Sequence, residues 1–395
     1  MSSASAFDTT RGRRWVLAGN LTATMAVGPI PVFAVGALAP LLTAEFSLTR
    51  TQLGVLTPVA FGLAAIGAYA GGHLPDRFGP RRILVGLYAG SLVSLVVFAL
   101  AGTFSVLLVA LAFSGIAMSL SNPVTNALIA RLIEPGRRGA VMGLKQSGVP
   151  MGQFLAGASL PVGALLWGWR GMMLAVAVLP LAGIITSLRS LPRDPPPVAA
   201  GPLVRPGGVV ANVWILSLYS FLIAVVLQAV GVYVSLYAFE EVAMTSTRAG
   251  LVVGVFGAVG IVARILWGRV AEGCRTVSAP LTLLAGLAAL SVAGFLVAQQ
   301  LGAWLVWVAA AGFGASAVSV NVVAMLATFR MASPENTGRA TGVIVLGMYS
   351  GFLAGPPIFG AVTDALGSYT VAWSGAIGLC VLAMLVSLWL RRQGA

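Results

Sequence analysis

The sequence is poor in charged side chains. Of its 395 residues, 8% are Asp, Glu, Lys or Arg and 58% are hydrophobic, whereas about 25% of the residues of an ordinary soluble protein are charged. A soluble chain of this length needs far more polar surface to cover its core, and a mean hydropathy of +0.98 indicates that lipid is the solvent. The composition therefore excludes a soluble globular protein.

Acidic residues, histidine and cysteine are especially scarce. None of the ten acidic residues falls in the middle of a hydrophobic run. The two cysteines, Cys274 and Cys380, lack the spacing of a disulfide framework or a metal site, so we expect neither a metal nor a cofactor. An enzyme or sensor would need paired carboxylates, a histidine cluster or a soluble domain. With one histidine, His73, and no long loop, the sequence predicts a protein that is not an enzyme.

Basic residues outnumber acidic ones and give a net charge of +13. They lie between hydrophobic runs and do not form the clustered surface that binds nucleic acid, so we exclude a nucleic-acid partner. Lys and Arg concentrate on the cytoplasmic side of membrane proteins. With the N-terminus inside, only Arg50, Arg170 and Arg248 fall outside. We therefore predict a multi-pass protein of the plasma (inner) membrane with both termini in the cytoplasm.

Twelve hydrophobic runs are long enough to cross a bilayer, which takes about 20 apolar residues. They lie at residues 15–42, 52–72, 83–102, 104–130, 139–167, 171–188, 213–238, 249–267, 279–299, 302–328, 338–364 and 370–390. A proline-rich segment separates the sixth run from the seventh. We predict an all-α membrane protein with twelve transmembrane helices, divided into an N-terminal six-helix bundle at 1–188, a cytoplasmic linker at 189–212 and a C-terminal six-helix bundle at 213–395.

The two sets of six runs resemble each other at an offset of 199 residues. This offset aligns Asn122 with Asn321 and Arg131 with Arg330, together with a proline and several glycines. Matched Asn, Arg and Pro residues in one register are far less expected by chance than matched apolar residues. The offset predicts two pseudo-symmetric bundles, an architecture that one large transporter fold uses.

A loop rich in glycine and arginine follows the second run. It reads Gly72-His73-Leu74-Pro75-Asp76-Arg77-Phe78-Gly79-Pro80-Arg81-Arg82. This loop resembles the signature G-x-L-x-D-R-x-G-R-R of the major facilitator superfamily, with Pro80 as an extra residue. A degenerate copy, with Glu272 in the place of the aspartate, occupies 268–275. The resemblance covers essentially the whole chain. Residues 143–152 show a second, weaker resemblance, to span 5 of the cyanate- and nitrate-type facilitators.

This resemblance implies the major facilitator fold and a secondary transporter that works by alternating access. In the family the signature loop is a latch between the two halves, which implies a gating role for Gly72, Asp76, Arg77, Gly79, Arg81 and Arg82. By analogy, Arg131 is the partner of Asp76. The alternative is a basic anchor at the cytoplasmic surface, although an anchor does not require an aspartate at this spacing.

The implied fold places a substrate cavity at the membrane midplane between the halves. The candidates for the substrate pathway are polar residues of the spans: Asn20, Asn122, Asn126, Lys145, Gln146, Gln228, Tyr233, Asn321 and Tyr349. Asn122 lies about 13 Å inside the inner boundary, since each helical residue adds about 1.5 Å. The alternative is that such side chains join helices by hydrogen bonds.

Lys145 is the only lysine of the chain and lies in the fifth run, about 9 Å from its edge. A charge at that depth costs a few kcal/mol unless it faces water or a partner. We expect Lys145 to bind an anionic substrate or to take part in coupling. The alternative is that its ammonium group reaches the inner headgroups.

Glycines recur in the fifth and eleventh runs, where small residues let helices approach closely. We expect these glycines to face the opposite half and to let the halves rock: Gly143, Gly148, Gly152, Gly347, Gly351 and Gly355.

The sequence thus predicts transport of a small solute, an organic or inorganic anion, by symport or facilitated diffusion. The alternative is a proton-coupled exporter of lipophilic compounds, which the lack of mid-span carboxylates disfavours but the outer carboxylates leave open. The expected partners are a small-molecule substrate and the lipid bilayer, and a coupling proton or ion is left open. We expect a monomer.

Overall fold

The computed structural model describes residues 11–71, 74–134, 138–192, 194, 211–332 and 336–392, and all regular secondary structure in these ranges is helical. The N-terminal half consists of α1 (Arg11–Val27), α2 (Ile30–Ala37), α3 (Ala39–Phe46), α4 (Arg50–Gly71), α5 (Leu74–Phe78), α6 (Pro80–Ala99), α7 (Phe104–Leu132), α8 (Arg138–Gln146), α9 (Gly148–Val176) and α10 (Val178–Ser190). The C-terminal half consists of α11 (Ala211–Glu240), α12 (Ser246–Gly273), α13 (Ser278–Leu301), α14 (Trp304–Ala315), a 3₁₀ turn (Ala317–Ser319), α15 (Val320–Met331), α16 (Thr337–Leu366) and α17 (Tyr369–Arg392).

These helices form the twelve predicted spans. Within the described ranges, nine helical segments are long and apolar enough to cross a membrane, and the bent pair α1 and α2 adds a tenth. One of the nine, at 141–190, has 50 residues and suffices for two crossings, and Gly168, at φ 66°, divides it into spans 5 and 6. The 22-residue α4 is span 2. The others are spans 3 (α6), 4 (α7), 7 (α11), 8 (α12), 9 (α13), 10 (α14 and α15), 11 (α16) and 12 (α17).

Spans 1, 5 and 10 are each interrupted within their length. A proline has no N–H to donate to the carbonyl four residues earlier, so Pro31 and Pro150 deprive Val27 and Gln146 of their helical donors. Span 1 bends by 48° between α1 and α2, and span 5 divides into α8 and α9. Span 10 breaks at Ser316, after α14. Backbone carbonyls at these breaks become available to side chains or to a ligand.

The two halves pack against each other mainly through span 2 on span 11 and span 5 on span 8. Both contacts need glycine, because a Cβ at Gly54 would collide with the Pro356 carbonyl oxygen and a Cβ at Gly157 with the Gly254 nitrogen. The helices α2 and α3 also contact α11 and α12, whereas the main contacts of α1, α8 and α15 are within their own halves. The halves therefore meet closely at the end that carries Arg50 (the Arg50 end) and less closely at the end where α1 begins and α17 ends (the termini end).

Five of the six glycines that we expected to face the opposite half pack within their own half, so the expectation is wrong for these five. Span 5 approaches span 1 and span 11 approaches span 7, because a Cβ at any of five glycines would overlap a backbone oxygen of that neighbour: Gly148, Gly152, Gly347, Gly351 and Gly355. The sixth, Gly143, has open space beside it. The small size of glycine predicts that another helix comes close, but it does not predict which helix that is.

The first residues of the predicted linker pack on the N-terminal half. The Asp194 carboxylate accepts the backbone N–H groups of Arg81 and Arg82 at 2.8 and 2.9 Å, and it thereby caps the N-terminus of α6. Gly79, at φ 88°, leaves the space that this carboxylate occupies. Residues 195–210 lie outside the described residues, so the domain boundaries remain predictions.

Candidate functional site

A cavity of about 220 Å³ lies between the halves. Its polar wall consists of Ser121, Asn122, Gln146, Gln153, Ser220, Gln228, Arg264, Asn321 and Tyr349. Its apolar wall includes Met25, Phe33, Phe61, Met118, Leu227, Met325, Met348 and Phe352. All three broken spans contribute to the cavity. Among the described residues that line it, one carries a charge, and that residue is Arg264.

Five of the nine predicted pathway residues lie in this wall, and they come from spans 4, 5, 7, 10 and 11: Asn122, Gln146, Gln228, Asn321 and Tyr349. Asn122 and Asn321, which the 199-residue offset aligns, both face the cavity. The cavity is thus built from equivalent positions of the two halves.

Asn20 and Tyr233 lie away from the cavity, in hydrogen bonds that hold helices together. Asn20 donates from Nδ2 to Ser187 Oγ at 3.0 Å and accepts at Oδ1 from the Tyr88 hydroxyl at 2.7 Å, which joins spans 1, 3 and 6. Tyr233 donates to the backbone carbonyl of Arg50 and so joins the two halves at the Arg50 end. In this conformation both residues therefore fit the alternative interpretation, in which polar side chains join helices by hydrogen bonds.

Lys145 does not reach the cavity either. Its side chain is 1% exposed, and Nζ donates to Thr125 Oγ1 at 2.8 Å and to Asn126 Oδ1 at 2.5 Å. Both acceptors are uncharged and belong to span 4. Lys145 and Asn126 therefore join spans 4 and 5 inside the N-terminal half, and the ammonium group reaches neither the cavity nor the bilayer surface.

Arg264, in span 8, is the cation that faces the cavity, and the sequence analysis did not select it. Its Nη1 donates to the Gln146 carbonyl oxygen at 3.3 Å, and its Nε donates to the Val318 carbonyl oxygen at 3.1 Å. The first acceptor lies at the break of span 5, where Pro150 supplies no N–H, and the second lies at the break of span 10. One guanidinium thus connects the broken spans of the two halves.

The sequence contained a signal for Arg264. It lies nine residues before Gly273, the end of α12, and therefore about 13 Å inside that end at about 1.5 Å per residue. The same calculation places Asn122 near mid-membrane. Arg264 was overlooked because arginines supply nearly all of the 23 basic residues and most of them mark loops, whereas Lys145 stands out as the only lysine.

The whole chain matches one protein family. Residues 21–288 and 216–395 each match the sequence profile of the family described as Major Facilitator Superfamily. The chain belongs to the major facilitator superfamily. The transporter fold, the multi-pass membrane architecture and the absence of an enzymatic role follow from this membership and from its relatives.

Relatives of this transporter include proteins named for small solutes. The 3-(3-hydroxy-phenyl)propionate transporter of Escherichia coli is 28% identical over 91% of this chain and 90% of its own. The probable 4-methylmuconolactone transporter of Cupriavidus pinatubonensis is 35% identical over 38% of this chain, and the match spans 35% of that relative. A bacterial homologue of the human lysosomal transporter Spinster, solved in an inward-facing and occupied conformation, shares the fold with a TM-score of 0.76 at 17% identity, over 97% and 98% of the two chains.

The signature loop of the transporter is described in part. Gly72 and the side chain of Asp76 lie outside the described residues, so the latch between Asp76 and Arg131 remains a prediction. The guanidinium of Arg77 stacks over the ring of Phe78, while Arg81 donates to the Leu188 carbonyl oxygen. The N-terminus of α6 is capped by Asp194.

The second copy of the loop shows a defined contact. Arg330, which the offset aligns with Arg131, donates to the carbonyl oxygens of Ala271, Glu272 and Cys274 at 3.1, 2.9 and 2.9 Å. Ala271 and Glu272 lie in the last turn of α12 and Cys274 directly follows it, where fewer backbone N–H groups are available than inside a helix. In the C-terminal half, the arginine thus holds the end of span 8 against span 10.

At the Arg50 end of the transporter, a charged cluster joins the halves. Arg50 Nη2 lies 2.9 Å from Glu240 Oε2, and Arg50 Nε donates to the Tyr369 hydroxyl at 3.1 Å. The Asp364 carboxylate accepts the backbone N–H groups of Arg50 and Thr51 at 3.2 and 2.8 Å. Since Asp364 and α4 belong to different halves, this cap holds the Arg50 end closed.

Proposed function

We propose that this transporter carries small organic anions by alternating access and that Arg264 binds their negative group. The observation that carries the proposal is the position of Arg264. It is the charged side chain in a described cavity wall that otherwise consists of amides, hydroxyls and apolar groups. Its described hydrogen bonds use Nε and Nη1, whereas a guanidinium has five N–H donors in a fork that fits a carboxylate.

Arg264 takes the role that the sequence suggested for Lys145. Lys145 donates to Thr125 and Asn126, and none of these three residues lines the cavity. The acceptors of Arg264 are two backbone carbonyls, which are neutral. A carboxylate adds an opposite charge and can accept two parallel hydrogen bonds from a guanidinium, so a substrate carboxylate would bind Arg264 in preference to these carbonyls.

The relatives support an anionic substrate. The one that aligns over nine tenths of its length is named for a propionate, which is a carboxylate. We extend carboxylate transport to the present chain because Arg264, in its cavity, is a cation whose forked N–H groups fit a carboxylate.

The contacts between the halves suggest the direction in which the cavity opens. The Arg50 end is closed by Arg50, Glu240 and Asp364, whereas at the termini end the main contacts of α1, α8 and α15 are within their own halves. We infer from the basic residues that both termini lie in the cytoplasm, and from the family that the protein is a monomer in the plasma membrane. With the termini inside, the termini end faces the cytoplasm, so this conformation is open to the inside. Transport then requires the Arg50 end to open while the termini end closes.

The test is uptake of radiolabelled carboxylates into proteoliposomes that contain Arg264→Gln. We expect uptake to fall about tenfold or more, because the lost charge-assisted hydrogen bonds contribute about 1.5–3 kcal/mol. Arg264→Lys should recover part of the rate. Arg248→Gln is the matched control, since Arg248 is exposed at the start of the same helix. Undiminished uptake by a correctly folded Arg264→Gln protein would refute the proposal.

Export of lipophilic compounds coupled to protons is the second candidate. The methionine and phenylalanine side chains of the apolar wall favour it, because flexible methionines adapt to ligands of varied shape. Overexpression would then raise resistance to lipophilic compounds, and a proton gradient would drive counterflow. Resistance that survives Arg264→Gln would support export over anion transport.

A further inference from the structure

Three aromatic rings meet in the cavity wall where the two halves join. The centroid of the Phe61 ring, in span 2, lies 4.6 Å from that of Phe352 and 6.1 Å from that of Tyr349, both in span 11. The Tyr349 and Phe352 centroids are 6.1 Å apart. All three residues line the cavity. They form a continuous aromatic wall to which both halves contribute.

The size of the cavity suits a molecule with one ring. An engineered apolar cavity of about 150 Å³ holds benzene, so 220 Å³ accommodates a benzene ring with a short polar chain. Besides its amides, hydroxyls and aliphatic groups, the wall contains this group of aromatic rings and the cation Arg264. A molecule that satisfies both the rings and the cation has an aromatic ring at one end and a negative group at the other.

We infer that the substrates are monocyclic aromatic carboxylates whose ring packs on Phe61, Tyr349 and Phe352. This inference rests on the proposed function, since Arg264 holds the carboxylate. Aromatic rings attract one another in edge-to-face and offset arrangements at centroid distances of 4.5–7 Å, the range already seen within the wall. A saturated ring of equal size fills the same space but lacks this attraction. The aromatic wall therefore selects phenyl over cyclohexyl compounds.

The test compares phenylacetate with cyclohexylacetate, which share the acetate group and a six-carbon ring and differ in whether that ring is aromatic or saturated. Their dissociation constants for the purified full-length transporter are measured by titration calorimetry. We expect phenylacetate to bind about 2- to 10-fold more tightly, the range that one or two aromatic contacts provide. In Phe61→Leu with Phe352→Leu, the ratio should fall below about twofold while cyclohexylacetate binding changes little.

Phe113→Leu is the control, because Phe113 is 37% exposed on span 4 and does not line the cavity. Equal binding of the two compounds that still requires Arg264 overturns the aromatic inference and leaves the proposed function standing. A preference for phenylacetate that the double variant retains also overturns it. Failure of both compounds to bind overturns the proposed function together with the inference.

Discussion

Arg264 and Lys145 both lie inside spans, yet their surroundings give them different tasks. A buried cation is costly unless it is paired or faces water. Lys145 is enclosed by two uncharged acceptors of span 4, so its position stabilises contact within one half. Arg264 lies in the wall of a cavity between the halves, where an anion from solution can reach it.

Neutralising Lys145 should therefore affect binding less than neutralising Arg264. We expect Lys145→Gln to bind phenylacetate within about threefold of the parent, since glutamine can still hydrogen-bond across to span 4, whereas Arg264→Gln should lose about tenfold or more. Calorimetric titration of both variants measures the difference, and their melting temperatures verify folding. If Lys145→Gln loses as much affinity as Arg264→Gln, the substrate charge is held at Lys145.

Sequence reasoning located part of the site at this scale. Residue type and depth selected Asn122 and Asn321, which do line the cavity. The same criteria selected Asn20, which instead bonds to Ser187 and Tyr88. Depth along a span can be counted from the sequence, but the face of the helix that meets the cavity depends on packing, and a bundle buries several faces of each span at once.

At the scale of the helix, hydropathy predicted the spans but not their breaks. Among the described residues, nine helical segments, or ten with the bent pair α1 and α2, are long and apolar enough to cross a membrane, and they lie near the predicted runs. The bend of 48° in span 1 and the division of span 5 follow from Pro31 and Pro150. The prolines were visible, but so was Pro58, which lies inside the continuous helix α4. Whether a proline breaks a span depends on which groups satisfy the freed carbonyl, and here Arg264 does so for Gln146.

Two glycines of α4 provide a test of the contact between spans 2 and 11. A Cβ at Gly54 would collide with the Tyr233 hydroxyl and the Pro356 carbonyl, whereas at Gly62 the nearest atom is a Leu353 methyl at 3.8 Å. We expect Gly54→Ala to slow transport about fivefold or more, because overpacking costs about 1–3 kcal/mol in the closed state of the Arg50 end. Gly62→Ala should transport normally. Proteoliposome uptake rates measure both, and equal rates for the two variants would contradict this contact.

For the whole molecule, the internal repeat predicted two similar halves but could not predict their relative position. Like positions of the two halves, such as Asn122 and Asn321, face the same cavity. The charged cluster of the Arg50 end joins three spans of the two halves, since Arg50, Glu240 and Asp364 lie in spans 2, 7 and 11. Contacts that differ between conformations of a transporter leave no periodic pattern in its sequence, and the structure was needed to find them.

The cap that Asp364 provides should control the balance between conformations. Asp364 accepts two backbone N–H groups at the start of α4 and lies 3.8 Å from Arg50 Nη1. Loss of a cap costs about 1 kcal/mol and a partly exposed ion pair adds up to about 1 kcal/mol. Asp364→Ala should therefore shift the equilibrium toward an open Arg50 end by roughly 5- to 30-fold.

Nitroxide labels on Gln52 and Thr370, which are exposed on opposite halves at this end, report the shift as a longer distance in pulsed electron resonance. Glu45→Ala is the control. Glu45 pairs with Arg170 within the N-terminal half, so its loss removes a carboxylate from the same end without touching the other half. The distance should lengthen in Asp364→Ala and stay unchanged in Glu45→Ala. An identical distance distribution in both variants would mean that packing of spans 2 and 11, rather than the charged cluster, keeps the Arg50 end closed.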